Sequence, residues 1–301
     1  MSIPIIIDTD PGVDDFFCIA LGCSFKEVFD LKALTTIGGN NLTDVTTRNA
    51  LDILYLFDRE DVDVARGEDK YLVGEFGEPV AKFHGANGLG DVELKHTSKK
   101  AVGLKAYEKI YEVAKELNGE LVLVTVGPLT NIGTLLLKHP DVKPLIKKIL
   151  IMGGTTGPGN ITPYAEANIN HDYLAADLVF KSGIPLEMVG LNVTHQAPLS
   201  LELFKTFIDD VDEEIKRVML GLVEFREDKI FHDAITIGTM INDYCVFKDA
   251  YVYIETKDKE HLGQTVCDFE SKNPNCKVAV EIDANGYYST INEMINKYKR
   301  K

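Results

Sequence analysis

The chain opens on Ile3-Pro4-Ile5-Ile6-Ile7-Asp8-Thr9-Asp10-Pro11-Gly12-Val13-Asp14-Asp15. The apolar run over 3–7 has the composition of a buried strand. Four carboxylates, Asp8, Asp10, Asp14 and Asp15, then fall within eight positions at its C-terminal end. Acids crowded in such a place raise one another's pKa or repel, so the arrangement predicts a cation-binding site. A purely structural account has Asp8 hydrogen-bonded to backbone at the strand end and Asp14 or Asp15 capping the next helix. That account covers one or two of the acids but not all four.

Outward from this stretch, strands and helices alternate. Apolar runs over 31–37, 120–126, 148–152 and 186–189 read as strands; 14–24, 44–57, 130–138 and 173–182 carry apolar residues at helical spacing. This pattern implies an α/β protein: an open, mostly parallel, Rossmann-like central sheet with helices on both faces. Beyond residue 190 the pattern loosens. Helices over 201–208, 213–227 and 233–241 precede strands over 250–256, 264–269 and 278–282 and a closing helix over 289–298. These predict a small C-terminal strand/helix element at the sheet edge. No repeat, low-complexity tract or linker divides residues 1–301, which are read as a single domain.

In open α/β sheets ligands bind outside the carboxyl ends of the strands. The polar and glycine-rich clusters all follow strands here: 8–15, Gly38-Gly39-Asn40-Asn41, Gly127-Pro128 and 153–170. They are expected to converge on one crevice, with the loop-rich stretch 76–100 covering it. Gly38-Gly39 lacks the GxxG or GKS/T continuation of a phosphate cradle.

The net charge of −15 argues against nucleic acid and anionic membranes as partners, since both carry the same sign. Five cysteines without a CxxC pair read as small core hydrophobes or isolated thiols. The N-terminus has no basic n-region, and no stretch reaches the ~18 apolar residues that span a bilayer. The expectation is a cytoplasmic protein.

Asp10, Asp14 and Asp15 are hard oxygen donors with no Cys/His cluster competing, which favours Ca²⁺ or Mg²⁺ over Zn²⁺. An EF-hand counted from Asp8 would need Gly and Glu where Val13 and Ile19 stand. An aspartyl-phosphate signature, D-x-D-x-T/V, would need Thr or Val in place of Gly12.

The run Asp8-Thr9-Asp10-Pro11-Gly12-Val13-Asp14-Asp15 resembles the N-terminal motif of the Ca²⁺-dependent nucleoside hydrolases, the inosine–uridine-preferring family. Further landmarks recur in order: Ile37-Gly38-Gly39-Asn40, Arg48-Asn49-Ala50, Gly127-Pro128-Leu129-Thr130-Asn131, Met152-Gly153-Gly154, Asn160 with Ala165-Glu166-Ala167-Asn168, Val193-Thr194-His195 and His232-Asp233. The resemblance implies hydrolysis of the N-glycosidic bond of ribonucleosides to ribose and free nucleobase. It implies Ca²⁺ held by Asp10, Asp15 and Asp233 and by the Val126 carbonyl, with water and two ribose hydroxyls completing the shell. Asp14 would be the general base on a metal-bound water, with Asp8 in support. Asn40, Asn160, Glu166 and Asn168, with Met152 packing nearby, would hold the ribose. His232, next to Asp233, is the general-acid candidate for the leaving base, and His84 a second base contact. His96, His139, His171, His195 and His261 are read as structural or surface groups. The family resemblance further implies a homodimer or homotetramer.

Three departures stand out. Tyr173 replaces a proline that commonly follows the aspartate of Asn170-His171-Asp172, which bears on a helix start. Asn192 precedes Val193-Thr194-His195 where an acid is frequent. The segment Glu224-Phe225-Arg226-Glu227-Asp228-Lys229 carries charges where aromatic hydroxyls are common, and the chain has no Trp. Base preference is therefore not legible. The alternatives are a metal-dependent phosphohydrolase, because clustered aspartates also serve phosphoryl transfer, and a nucleoside- or ribose-binding protein that has lost its acid.

Overall fold

In a computed structural model, which describes residues 2–79 and 81–300, the opening apolar run forms strand β1 (Ile3–Thr9) and the aspartate-rich loop leads into helix α1 (Val13–Ser24). The chain continues through β2 (Phe29–Thr36), α2 (Thr43–Leu56), β3 (Asp63–Arg66), a short α3 (Ala81–His84) and α4 (Ala106–Leu117). Next come β4 (Leu121–Thr125), α5 (Thr130–Lys138), a 3₁₀ turn (Pro140–Leu145), β5 (Ile146–Met152), α6 (Ala167–His171), α7 (Tyr173–Phe180) and β6 (Leu186–Val189). The last third holds α8 (Leu191–Thr194), α9 (Leu201–Lys205), α10 (Glu213–Phe225), α11 (His232–Gly238), β7 (Cys245–Ile254), β8 (Thr265–Asp268), β9 (Cys276–Ile282) and α12 (Ala284–Asn296).

The strands form one nine-stranded sheet in the order β3-β2-β1-β4-β5-β6-β9-β7-β8. Every pairing from β3 to β9 is parallel, while β7 runs antiparallel to both β9 and β8. The C-terminal strands thus extend the main sheet: β9 lies parallel to β6, and β7 and β8 form its edge. The sequence reading missed β3 and α4. Asp63-Val64-Ala65-Arg66 is too short and too polar at its ends to stand out, whereas α4 buries Ala106, Ile110, Val113 and Ala114 at ordinary helical spacing, a signal the sequence carried.

Alternate residues of each strand feed opposite cores. Ile5, Ile7, Val122, Val124, Leu150 and Met152 pack beneath α1, α2, α10, α11 and α12. Ile6, Leu121, Leu123, Ile149 and Ile151 pack beneath α4, α5 and α7. Helix α1 is buried from Val13 to Cys23 and α11 throughout, and the two pack together. Phe17 on α1 meets Phe231, which immediately precedes α11, edge to face at 4.7 Å. Such a pair contributes ~0.5–1.5 kcal/mol beyond its buried area. It also fixes how closely the N-termini of the two helices approach.

After β1 the chain builds outward to β3 and then returns to the other side of β1 with β4. The switch point therefore lies between β1 and β4, where the crevice of an open α/β sheet opens. Asp10 follows β1 there, and Val126 follows β4.

Candidate active site

Asp14 and Asp15 occupy the first turn of α1, and Asp233 the first turn of α11. Carboxylate oxygens of these three buried residues lie within 4.8 Å of one another. Helix packing brings them together: two helices buried on nearly every side leave no alternative exit for their acidic N-termini.

Asp15 is saturated. Its Oδ1 accepts from the Thr9 hydroxyl and the Asp10 N–H (3.2 Å), and its Oδ2 from the Gly12 N–H and Asn40 Nδ2, both at 3.0 Å. Asp10 Oδ2 accepts the Asn40 N–H at 2.7 Å, whereas its Oδ1 is buried with no hydrogen-bond partner. Glycines permit this approach. A Cβ on Gly39 would fall 2.1 Å from Asp10 Oδ2, and one on Gly127 2.7 Å from Oδ1. Gly39 and Gly127 thus make room for the Asp10 carboxylate, while Gly38 lies against the Phe76 ring. Asp10 lies outside the closest three-acid group. Asp8 sits behind it, its Oδ1 bonded by the Thr35 hydroxyl and by Asn131 Nδ2 at 2.8 Å.

Burial raises most of these carboxyls. Asp8 is pushed up to about 7 by burial against opposing hydrogen bonds, and Asp15 to about 6 by burial and the charge of Asp14. Asp10 and Asp233 rise well above the usual range through burial and their acidic neighbours. Asp14 goes the other way. Burial is the largest influence and works to raise it, but the Arg226 guanidinium, whose Nη1 is 3.5 Å from Asp14 Oδ1, together with His84, His232 and a backbone hydrogen bond, brings it below the usual range. The orphaned Asp10 oxygen, the elevated carboxyls and an all-oxygen donor set fit a hard divalent cation.

Above these acids opens a cavity of ≈ 270 Å³, near the ~300 Å³ lower bound of ordinary small-molecule pockets. Asp14, Asn40, His84, Val126, Met152, Asn160, Glu166, Asn168, His232 and Asp233, all read from the sequence as site residues, line it. Asp10 and Asp15 lie behind the wall. Asn168 Nδ2 donates to the Val126 carbonyl at 2.9 Å and to that of Met152 at 3.3 Å. Glu166 caps α6, accepting from the Gly154, Asn168 and Ile169 N–H groups. Asn160 Oδ1 accepts the Ala167 N–H at 2.9 Å.

The stretch 76–100 reaches over the crevice through α3, which carries Phe83 and His84. Asn49 Nδ2 donates to both Pro11 O (3.1 Å) and Asn87 O (3.0 Å), tying the aspartate loop to this cover. His84 Nδ1 accepts the Val13 N–H at 3.1 Å, so the neutral ring carries its hydrogen on Nε2. His232 Nδ1 pairs with the Thr194 hydroxyl at 2.7 Å. Burial lowers both imidazoles to about 4, leaving them neutral at pH 7.

Four ionisable lining residues escaped the sequence reading. His171 and His195, taken as structural or surface groups, both face the cavity. Arg226 and Asp228 line it as well, whereas Phe225 packs against Gly90, whose added Cβ would lie 2.9 Å from its ring. The charged segment 224–229 was the available signal, since a charge run directly ahead of His232-Asp233 had to face either solvent or the site. The other departures are local. Asp172 caps α7 by accepting the Ala175 N–H, so the helix starts at Tyr173. Asn192 Nδ2 donates to Ala279 O at 2.8 Å, anchoring β9.

Residues 5–289 match the family model described as inosine-uridine preferring nucleoside hydrolase. The non-specific ribonucleoside hydrolase RihC of Shigella sonnei is 34% identical over 304 residues, covering 98% of this chain and 99% of that protein; its Escherichia coli K12 counterpart matches equally. Among solved structures, the plant nucleoside hydrolase PpNRh1 superposes with a TM-score of 0.91 at 30% identity, covering 98% of this chain and 99% of the other. The purine-preferring ribonucleoside hydrolase of Gardnerella vaginalis gives 0.90 at 29%, covering 97% and 99%.

Proposed function

The chain belongs to the inosine–uridine preferring nucleoside hydrolase family, and from that premise we propose how its residues divide the work. It is a ribonucleoside hydrolase, an N-glycosyl hydrolase that cleaves the bond between ribose and nucleobase. The observation that carries the reading is the Asp14, Asp15 and Asp233 cluster beneath a pocket walled by Asn40, Asn160, Glu166 and Asn168.

Asp10, Asp15 and Asp233, with the Val126 carbonyl, would hold a divalent cation, and the ion proposed is Ca²⁺. Its bound charge lowers the pKa of water and orients ribose hydroxyls. Asp14 takes the proton of the attacking water. It alone among the four acids is held below the usual range, so it is ionised and ready at neutral pH. Asn160, Glu166 and Asn168 orient the sugar, whose hydroxyls need both donors and acceptors. The acidic floor favours the positive charge that develops on the ribosyl ring. His84 and His232 face the base as neutral imidazoles, and His232 donates its hydrogen bond to the departing ring.

The phosphohydrolase alternative has little support at this wall, which sets four carboxyl groups, Asp14, Glu166, Asp228 and Asp233, against one guanidinium, itself bonded to Asp228. No helix among the described residues is long and apolar enough to cross a membrane, and we place the enzyme in the cytoplasm as a homodimer or homotetramer. The test is turnover of inosine, adenosine, guanosine, uridine and cytidine, with and without a Ca²⁺ chelator. Base release lost on chelation and restored by Ca²⁺ is expected; nucleoside binding without base release would reverse the assignment.

A further inference from the structure

Arg226, directly after α10, is the one lysine or arginine among the described residues that line the cavity. It is 6% exposed. Its Nε donates to Asp228 Oδ1 at 2.7 Å and its Nη2 to Oδ2 at 3.4 Å, which fixes the plane of the guanidinium. The Phe83 ring lies against it, 5.9 Å from centroid to guanidinium carbon. The remaining nitrogen, Nη1, is buried with no hydrogen-bond partner, although Asp14 Oδ1 is 3.5 Å away.

An arginine present only to neutralise Asp14 has every reason to donate to it directly. Here the fork is spent on Asp228, and Nη1 is left with an approach to Asp14 but no bond. A buried N–H without an acceptor is costly, and its position marks where an acceptor belongs. Asn160, Glu166 and Asn168 share no hydrogen-bond partner with Arg226. The guanidinium therefore belongs to the wall formed by Phe83, His84 and Asp228, not to the sugar-holding set.

We propose that Arg226 is a catalytic residue acting on the leaving group: its Nη1 donates to an acceptor atom of the nucleobase and its charge stabilises the base as it departs. This rests on the nucleoside hydrolase reading above. The C1′–N bond breaks and its electron pair stays on the base nitrogen. The water oxygen bonds to C1′ while its proton passes to Asp14. The base, now anionic, pairs with the guanidinium until solvent protonates it. A guanidinium suits this task because it stays charged at every working pH and presents a planar donor set.

The test compares inosine and uridine with 4-nitrophenyl β-D-ribofuranoside, whose leaving group is a stable anion without help. Arg226→Gln should lower kcat/KM on the two nucleosides by about 100-fold or more and on the nitrophenyl riboside by less than about fivefold. Equal losses on both substrate classes would show that Arg226 only positions Asp14, and no loss on nucleosides would remove it from catalysis. If Arg226→Gln does not fold, Arg226→Lys decides by the same ratio: it must favour the nitrophenyl substrate by about tenfold over wild type, or the proposal fails. A wild-type protein that cleaves neither class would overturn the hydrolase reading itself, an outcome distinct from equal losses in the variant.

Discussion

The Asn168 side-chain amide donates to the Val126 carbonyl at 2.9 Å. The residue assigned to the sugar therefore also orients the backbone group assigned to the cation. Glu166 fixes Asn168 in turn by accepting its N–H at 2.9 Å. Asn168→Ala should weaken Ca²⁺ binding by about tenfold, the lower range for loss of a group that orients a metal ligand. Nucleoside turnover should fall as well. Calorimetric titration with Ca²⁺ in the absence of nucleoside separates the two effects. Unchanged affinity would confine Asn168 to the sugar.

Asp14 stands both in the three-acid group and against Arg226. As general base it should contribute about 10²–10⁴-fold to the rate. Asp14→Asn should then abolish measurable turnover while Ca²⁺ and nucleoside still bind. If the variant loses Ca²⁺ affinity together with activity, Asp14 is a ligand and the proton must go elsewhere.

Gly39→Ala probes Asp10. The new Cβ would fall 2.1 Å from Asp10 Oδ2, which the Asn40 N–H already holds at 2.7 Å. Neither group can yield without breaking that bond. Overpacking of this kind costs about 1–3 kcal/mol, and the displaced carboxylate should lower Ca²⁺ affinity too. A variant with wild-type melting temperature and Ca²⁺ binding would remove Asp10 from the ligand set.

Much of this site was legible because its residues are local to strand ends. The run 8–15 reads as a cation site from its charge spacing alone; Val126 was implied only by the family resemblance, and the β1/β4 switch point is what sets it beside that run. Gly39, in the pair that lacks a phosphate-cradle continuation, makes room for Asp10 instead, as does Gly127, which only the fold reveals. His171 and His195 could not be assigned from sequence, because each lies in a segment whose facing is set by long-range packing. Arg226 illustrates the same limit: its charge was visible, but whether it faced water or the pocket depended on α10 ending beside α1. Tertiary contacts likewise placed β9 in the main sheet, where its short alternating pattern had suggested only an edge.

The buried carboxyls give the metal-free protein a pH signature. Asp8 and Asp15 are raised to about 7 and about 6 from an ordinary 3.8, so the folded state keeps protons that the unfolded chain has lost. Stability then falls as pH rises through this window, and the full penalty is present above about pH 7. His84 and His232, lowered from 6.5 to about 4, act oppositely. Their contribution is present above about 6.5 and is lost as pH falls toward 4. Chelator-treated protein should therefore melt at a higher temperature at about pH 6.5 than at about pH 8, and added Ca²⁺ should raise the melting temperature more at the higher pH. Equal melting temperatures at both values would mean the acids are not strained by burial.

The sugar site makes the last prediction. Two ribose hydroxyls are proposed to complete the cation's shell, and Asn160, Glu166 and Asn168 to hold the rest of the ring. A 2′-deoxyribonucleoside would leave one oxygen position of that shell without a partner. Sites built to bind a hydroxyl reject analogues lacking it by up to about 10⁴–10⁵-fold, because their polar groups are then left unpaired. With the wall accessible to water through the cavity mouth, a loss of at least about 100-fold in kcat/KM for 2′-deoxyinosine against inosine is the expected result. Water can refill an open position but cannot tether the sugar, so the loss should fall on kcat as well as KM. Equal rates for the two nucleosides would place the 2′-hydroxyl away from the cation and require a different orientation of the ring above Asp14.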